Sequence, residues 1–262
     1  MDQIKIISQP SESQPFIVLY KPSGIPSAPI SPDDANNAFS HAAKLFPQAL
    51  SVTGRKAIEH GLLHRIDTVT SGLLLIATSQ AFYDYLLEEQ SAGRFIKYYQ
   101  AECIDCKDNP ELLKGFPAVD NESRKKVLRG ETVCLSSYFR NYGVGQKEVR
   151  PVAQDSNTTA IKKIGKQVLY NTEIKLIAPA GVGGGGLTFE CKLTAGYRHQ
   201  VRAHLAWLGF PIIGDSLYNC QEKNLQNLNN DEKSSEIRVN QKIHFTATRL
   251  NFTWNGKSFT FQ

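Results

Sequence analysis

No apolar run in the 262-residue chain approaches transmembrane length. The longest, Leu73-Leu74-Leu75-Ile76-Ala77, is far below the ~20 residues of a spanning helix. The first residues, Met1-Asp2-Gln3-Ile4-Lys5, lack the basic region, apolar stretch and small-residue cleavage site of an export signal. A soluble protein is expected. Cysteine is sparse: five residues, an odd count which, with no export signal, fits a reducing compartment and a cytoplasmic location. Cys103 and Cys106 form a C-x-x-C pair, but Cys134, Cys191 and Cys220 stand alone. With no second pair at finger spacing, packed or exposed thiols are expected rather than zinc ligands. The glycine run Gly183-Gly184-Gly185-Gly186 is followed by no G-K-[ST] and no helix start, so it reads as a flexible turn, not a phosphate cradle. A dinucleotide fingerprint and internal repeats are also missing.

What is present suits one folded domain. Hydrophobic residues make up 41% and charged residues 21%, ordinary globular values that exclude a wholly disordered chain. At this length roughly 75% of the unfolded surface can be buried, so stability requires neither metal nor disulfide. The net charge of +5 is compatible with a phosphate-rich partner, although many ordinary enzymes share it.

Phe16 to Tyr20 reads as a strand stopped by Lys21-Pro22-Ser23-Gly24, and apolar spacing at Phe39, Ala42, Ala43 and Phe46 predicts a helix. The turn-like segment 61–72 feeds a strand at Leu73–Thr78. A helix over Ser79–Glu89 and an aromatic strand over Phe95–Cys103 follow. Between about 105 and 166 no period persists, which predicts a loop-rich insertion with Arg124-Lys125-Lys126 and Arg129 as a basic cluster, split between RNA contact and an ordinary solvated face. Strands are expected at Val168–Ile177 and Leu187–Leu193, then a helix over His199–Leu208 closed by Gly209 and Pro211. A polar surface excursion over Asn219–Lys242 precedes two final strands around Asn255-Gly256. Strands outnumber helices without βαβ alternation. The pattern therefore predicts an α+β fold with a mixed, largely antiparallel central sheet and flanking helices and loops.

Three segments invite chemistry: His64-Arg65-Ile66-Asp67, Lys97-Tyr98-Tyr99-Gln100-Ala101 and His199-Gln200-Val201-Arg202-Ala203-His204. Each residue alone has a plain reading. Val201, Leu205 and Leu208 form a narrow apolar helix face with Arg202 at its border, where spacing favours an arginine that snorkels to water over one that turns inward to a carboxylate. Asp67 sits at a turn, where a carboxylate is usually solvated or a cap, and Tyr99 reads as a packed ring. His64 divides between a structural hydrogen bond and a substrate contact.

Together, in order and detail, the segments resemble the RluA-type pseudouridine synthases. The family's H-R-L-D-x-x-T-S-G block appears as His64-Arg65-Ile66-Asp67-Thr68-Val69-Thr70-Ser71-Gly72, with Ile66 in place of leucine. Lys97 to Ala101 is similar to K-x-Y-x-A, and His199 to His204 to H-Q-[IL]-R-x-H. Gly209-Phe210-Pro211-Ile212-Ile213-Gly214-Asp215-Ser216-Leu217-Tyr218 follows as in the family, and Tyr20-Lys21-Pro22-Ser23-Gly24 resembles N-K-P-x-G. The family's T-G-R-x before H-Q reads Ala195-Gly196-Tyr197-Arg198 here, displacing the arginine by one.

The resemblance implies the family's catalytic fold over residues 1–262, with an insertion at about 105–166. Only about 15 residues precede the first strand, so no N-terminal S4-like RNA-binding domain is expected. It implies an isomerase that rejoins uracil to ribose through C5 in ribosomal or transfer RNA after flipping the base, with no cofactor and no metal. Asp67 would be the essential carboxylate, as nucleophile or as base, and Arg202 the cation that keeps it charged. Tyr99 would stack on the uracil and help remove the C5 proton. His64, Arg65, Val201 and Arg198 are the implied substrate contacts. Structured RNA is the implied partner of a monomer with no obligate protein partner. Two other readings stand beside it: an inactive synthase-like RNA-binding protein, and a metal-dependent hydrolase using His60, His64 and Asp67.

Overall fold

The computed structural model describes residues 3–106, 115–118, 120–156, 158–165, 167–179, 186–219 and 242–262. Cys220, Gly183–Gly185 and most of the polar stretch 219–242 lie outside the described residues. The chain divides into two compact units, residues 1–99 with 246–262, and residues 100–245.

In chain order the elements are β1 (Lys5–Ser8), β2 (Phe16–Lys21), α1 (Ala38–Leu45), β3 (Ser71–Ala77), α2 (Gln80–Ser91) and β4 (Ile96–Cys103). There follow α3 (Asn121–Leu128), β5 (Val133–Tyr142), β6 (Glu148–Val152), α4 (Thr158–Ile161) and β7 (Tyr170–Ala178). The last are β8 (Leu187–Leu193), α5 (Gln200–Trp207), β9 (Phe245–Trp254) and β10 (Lys257–Phe261). The α+β class and the mixed, largely antiparallel sheet are those the sequence implies.

In the first unit the strand order is β1-β2-β3-β9-β4, with β10 paired to β9. All seven residues of β3 are buried, which is why its sequence is a continuous apolar run instead of an alternation. β2 lies antiparallel beside it, from Phe16 opposite Ala77 to Lys21 opposite Gly72. On its other side β3 meets β9 in parallel, Ser71 opposite Thr246 and Gly72 opposite Ala247. Gly72 has φ +122°, and a Cβ there would sit 2.2 Å from the Ala247 carbonyl oxygen. The glycine of Thr70-Ser71-Gly72 is thus what lets β9 approach. Phe16, Leu73, Leu75, Phe82, Leu86, Phe95 and Phe252 form the core, α2 packing its apolar side onto the sheet. Ser79 starts α2 by accepting from the Phe82 amide. Asn255 and Gly256 both take positive φ, the two-residue hairpin turn that Asn-Gly favours.

In the second unit the order is β4-β8-β7-β5-β6. Here the structure corrects the expectation of a loop-rich insertion. Residues 133–142 form a ten-residue strand inside this order, antiparallel to both β7 and β6. Its inward positions alternate as Val133, Leu135, Ser137 and Phe139, so a buried serine breaks the apolar period the strand would otherwise display. The basic cluster is divided as well. Arg124 is buried, donates to the Leu208 carbonyl at 2.9 Å, and lies 4.0 Å over the Phe210 ring. Lys125 and Arg129 pair instead with Glu122 and Glu131 on the surface.

The narrow apolar face expected for α5 is also replaced: all eight of its residues are buried. Its polar side chains tolerate this because each is paired. Gln200 donates to the Asn171 carbonyl and Thr172 Oγ1, at 2.9 and 3.0 Å, and accepts from the Tyr197 amide. The His204 ring lies between Ser137 Oγ at 2.8 Å and Thr172 Oγ1 at 2.7 Å. Arg202 does not snorkel: its side chain is 3% exposed.

Candidate active site

In the first unit the acid-bearing turn is fastened by the segment that follows β2. The Ser23 hydroxyl donates to the Val69 carbonyl at 2.6 Å and the Gly24 amide to the Thr68 carbonyl at 2.8 Å. Ser27 Oγ donates to the Ile66 carbonyl at 2.6 Å and accepts from the Ile66 amide at 3.1 Å. The Thr70 amide closes the turn onto the Asp67 carbonyl. Asp67 is therefore bracketed on both sides by hydrogen-bonded backbone.

Lys21, at the end of β2, is fully buried and donates to the carbonyls of Pro22 at 3.0 Å, Ile25 at 2.7 Å and Thr68 at 3.2 Å. Burial lowers its pKa to about 8, and the nearby negative Asp67 opposes that fall. Tyr99, at the close of the unit, is buried; burial first, then Asp67, raises its hydroxyl well above the ordinary tyrosine range. Asp67, Lys21 and Tyr99 thus share one electrostatic neighbourhood. A phenol so held is neutral near pH 7, which suits a stacking wall better than a base for a C5 proton.

His64 accepts from the Leu75 amide through Nε2 at 3.2 Å and stands edge-on to Phe95. Burial, with help from Lys97, lowers its pKa to about 3, so it is a neutral ring bonded to β3. That is the structural alternative of the two the sequence left open. His60 lies stacked on Phe39, and the two histidines share no helix, so the spacing needed for the hydrolase reading is not formed. Among the described residues no three His, Cys, Asp or Glu side chains gather as a metal site. Arg65 is about half exposed and donates to Glu59 Oε1 at 3.0 Å.

In the second unit Arg202 donates from Nε and Nη2 to the two carboxylate oxygens of Asp215, at 2.8 Å each, with Asp215 fully buried. Asp215 Oδ1 also accepts from the amides of Leu217 and Tyr218. Tyr218 lies under the guanidinium at 5.2 Å and bonds His199 Nδ1 at 3.0 Å. Val201 is buried on the same helix. Arg198 is exposed; its Nη2 reaches Asn141 Oδ1 and the carbonyls of Gln146 and Glu148, at 3.0, 2.8 and 3.3 Å. It ties the β5–β6 connection in place.

Sequence reasoning quoted Lys21 and Asp215 within motifs but gave neither a role. Lys21 had a visible signal, since a lysine closing an apolar strand before proline must place its ammonium somewhere. Asp215 lies in a loop beyond its helix, and nothing local marks it as the partner of Arg202.

Residues 15–207 match the profile of a family described as RNA pseudouridylate synthase. The chain belongs to that family. It is 26% identical over 208 residues to the tRNA pseudouridine(31) synthase of Saccharomyces cerevisiae, covering 79% of this chain and 45% of that protein. It is 28% identical over 214 residues to mouse pseudouridylate synthase RPUSD2, covering 80% and 30%. With the ribosomal large subunit pseudouridine synthase D of Buchnera aphidicola the identity is 26% over 170 residues, covering 64% and 41%. The chain thus spans less than half the length of these relatives. In fold it is similar to human RNA pseudouridylate synthase domain containing 1, with a TM-score of 0.60 at 17% identity over 98% of this chain and 82% of that one. No helix among the described residues is long and apolar enough to cross a membrane.

Proposed function

We propose that this protein isomerises uridine to pseudouridine in RNA, with Asp67 as the essential carboxylate. In that reaction the N1–C1′ bond breaks, a C5–C1′ bond forms, N1 gains a proton and C5 loses one. Atoms and charge balance within the uridine and a proton exchanged with solvent, so neither oxidant nor group donor is consumed. Asp67 acts either at C1′ as nucleophile or on a ribose proton as base. Arg202, a guanidinium charged at any working pH, is the counter-cation we assign to it, with Asp215 fixing the guanidinium plane. Tyr99 stacks on the uracil and Val201 contributes an apolar wall. Arg65 and Arg198 complete the substrate contacts of this reading, while His64 holds the turn to β3.

The observation that carries the proposal is the family's acid-bearing block on a turn whose backbone is tied residue by residue to the Lys21–Ser27 segment. The names of the relatives point to transfer or ribosomal RNA, and we assign this chain the same substrate class. An extruded uridine costs a few kcal/mol to unstack, which favours loops and unpaired positions. We place the protein in the cytoplasm, acting as a monomer without a cofactor. The test is tritium release from RNA labelled at uridine C5. Release by the intact protein supports the reading; RNA binding with no release favours an inactive RNA-binding protein.

A further inference from the structure

The loop ahead of the acid-bearing turn carries two charges, Arg55 and Lys56, to which the reading above gives no role. Between α1 and the Asp67 turn, Arg55, Lys56 and Arg65 are exposed on a loop in which Glu59 is the carboxylate beside them. Glu59 Oε1 accepts Arg65 Nη1 at 3.0 Å and lies 3.4 Å from Lys56 Nζ, so one largely buried oxygen holds two cationic heads that are themselves more than half exposed. Arg55 adds a third cation. Its charge reaches the buried Lys97, whose pKa falls to about 8 through burial first and Arg55 second.

This loop is built rigid. Tyr83 of α2 accepts the Arg55 amide through its hydroxyl at 2.9 Å, and Gln80 accepts the Thr53 amide at 2.8 Å. A Cβ at Gly54 would lie 2.1 Å from the His60 carbonyl oxygen, so the loop closes on itself at a glycine that nothing larger replaces. The His60 ring rests flat on Phe39 of α1. Exposed cations on a fixed backbone, on the loop that leads into the acid-bearing turn, lose little entropy on meeting a polyanion. A solvated face has no need of such fixing.

We infer that residues 54–65 form a contact surface for the RNA sugar–phosphate backbone, Arg55 and Lys56 meeting phosphates alongside the substrate contact of Arg65, with Glu59 partly neutralising Lys56 and Arg65. This deepens the function proposed above and rests on it. Phosphate contacts give affinity and register without reading sequence. They leave a signature in salt: each contact on single-stranded RNA contributes about 0.7 to the slope of log affinity against log salt.

The experiment measures binding of a stem-loop transcript with uridines in its loop, by fluorescence anisotropy from low to moderate salt. The unsubstituted protein is compared with Arg55→Gln/Lys56→Gln and with Glu59→Gln. Arg55 is anchored through its backbone amide, which substitution preserves. The double variant is expected to bind several-fold more weakly at low salt, with a slope shallower by about 0.7 to 1.4. Glu59→Gln keeps an oxygen for Arg65 but removes the opposing charge, so it is expected to bind about twofold more tightly with a steeper slope. A double variant with unchanged affinity and slope, or a Glu59→Gln protein that binds more weakly, overturns the inference. Failure of the underlying reading looks different. RNA bound normally by the intact protein with no tritium release contradicts the isomerase, whatever the loop variants do.

Discussion

Arg202 and Asp215 form a two-point ion pair sealed from solvent, Nε and Nη2 each 2.8 Å from a carboxylate oxygen. Two more amides converge on the same carboxylate, so the guanidinium is oriented before any substrate arrives.

Removing either member alone leaves a charge buried. Asp215→Asn or Arg202→Met should cost about 3–5 kcal/mol of stability by urea denaturation. Replacing both together with Met and Leu should restore much of that, because a matched apolar pair strands no charge. Single variants as stable as the parent would show the pair to be energetically idle.

Two histidines, His204 fully buried and His64 bonded to β3, predict acid sensitivity. His64 and His204 have pKa values lowered to about 3 by burial, against about 6.5 in the unfolded chain. Between those limits the unfolded state binds more protons, so stability is intact above about pH 6.5 and drains away as pH falls toward 3. The urea midpoint should drop steeply over that window. In His204→Gln, where an amide meets Ser137 and Thr172, the drop should be shallower; an unchanged slope contradicts the assignment.

Lys21 predicts an alkaline limb. Below about pH 8 its ammonium is charged and supplies three N–H donors to three carbonyls. Above that the neutral amine has only two, one carbonyl of the acid-bearing turn's frame is stranded, and the cation beside Asp67 is gone. Turnover should therefore fall as pH rises through about 8. Lys97 titrates in the same range, so Lys97→Arg serves as the control. If the limb disappears there and persists in Lys21→Arg, the effect belongs to Lys97.

Much of this was legible in the chain itself. Phe16–Lys21, Ser71–Ala77 and Gln80–Ser91 announce themselves by apolar runs, a serine cap and punctuating glycine and proline. Asp67 and Tyr99 are identified by their motifs, and the structure sets them in one electrostatic neighbourhood. What stayed hidden depended on distant partners. Ser137 reads as a polar break in β5 until His204 is seen against it, and the long segment between 105 and 166 accordingly looked shapeless. Helix α5 looked amphipathic because Gln200, Arg202 and His204 are polar; only their partners at Thr172 and Asp215 make full burial affordable. Arg124 looked like surface charge and proved to be an interior bracket on Phe210.

The central claim is that the Asp67 carboxylate performs the chemistry, and exchange of one oxygen for an amide tests it. Asp67→Asn preserves size and the backbone bonds that hold the turn, while phosphate contacts elsewhere sustain RNA affinity. Tritium release from C5-labelled RNA, measured with binding on the same substrate, is expected to fall about a thousandfold with affinity within a few-fold of the parent. A variant that binds and still releases tritium at a substantial fraction of the parental rate would contradict the account.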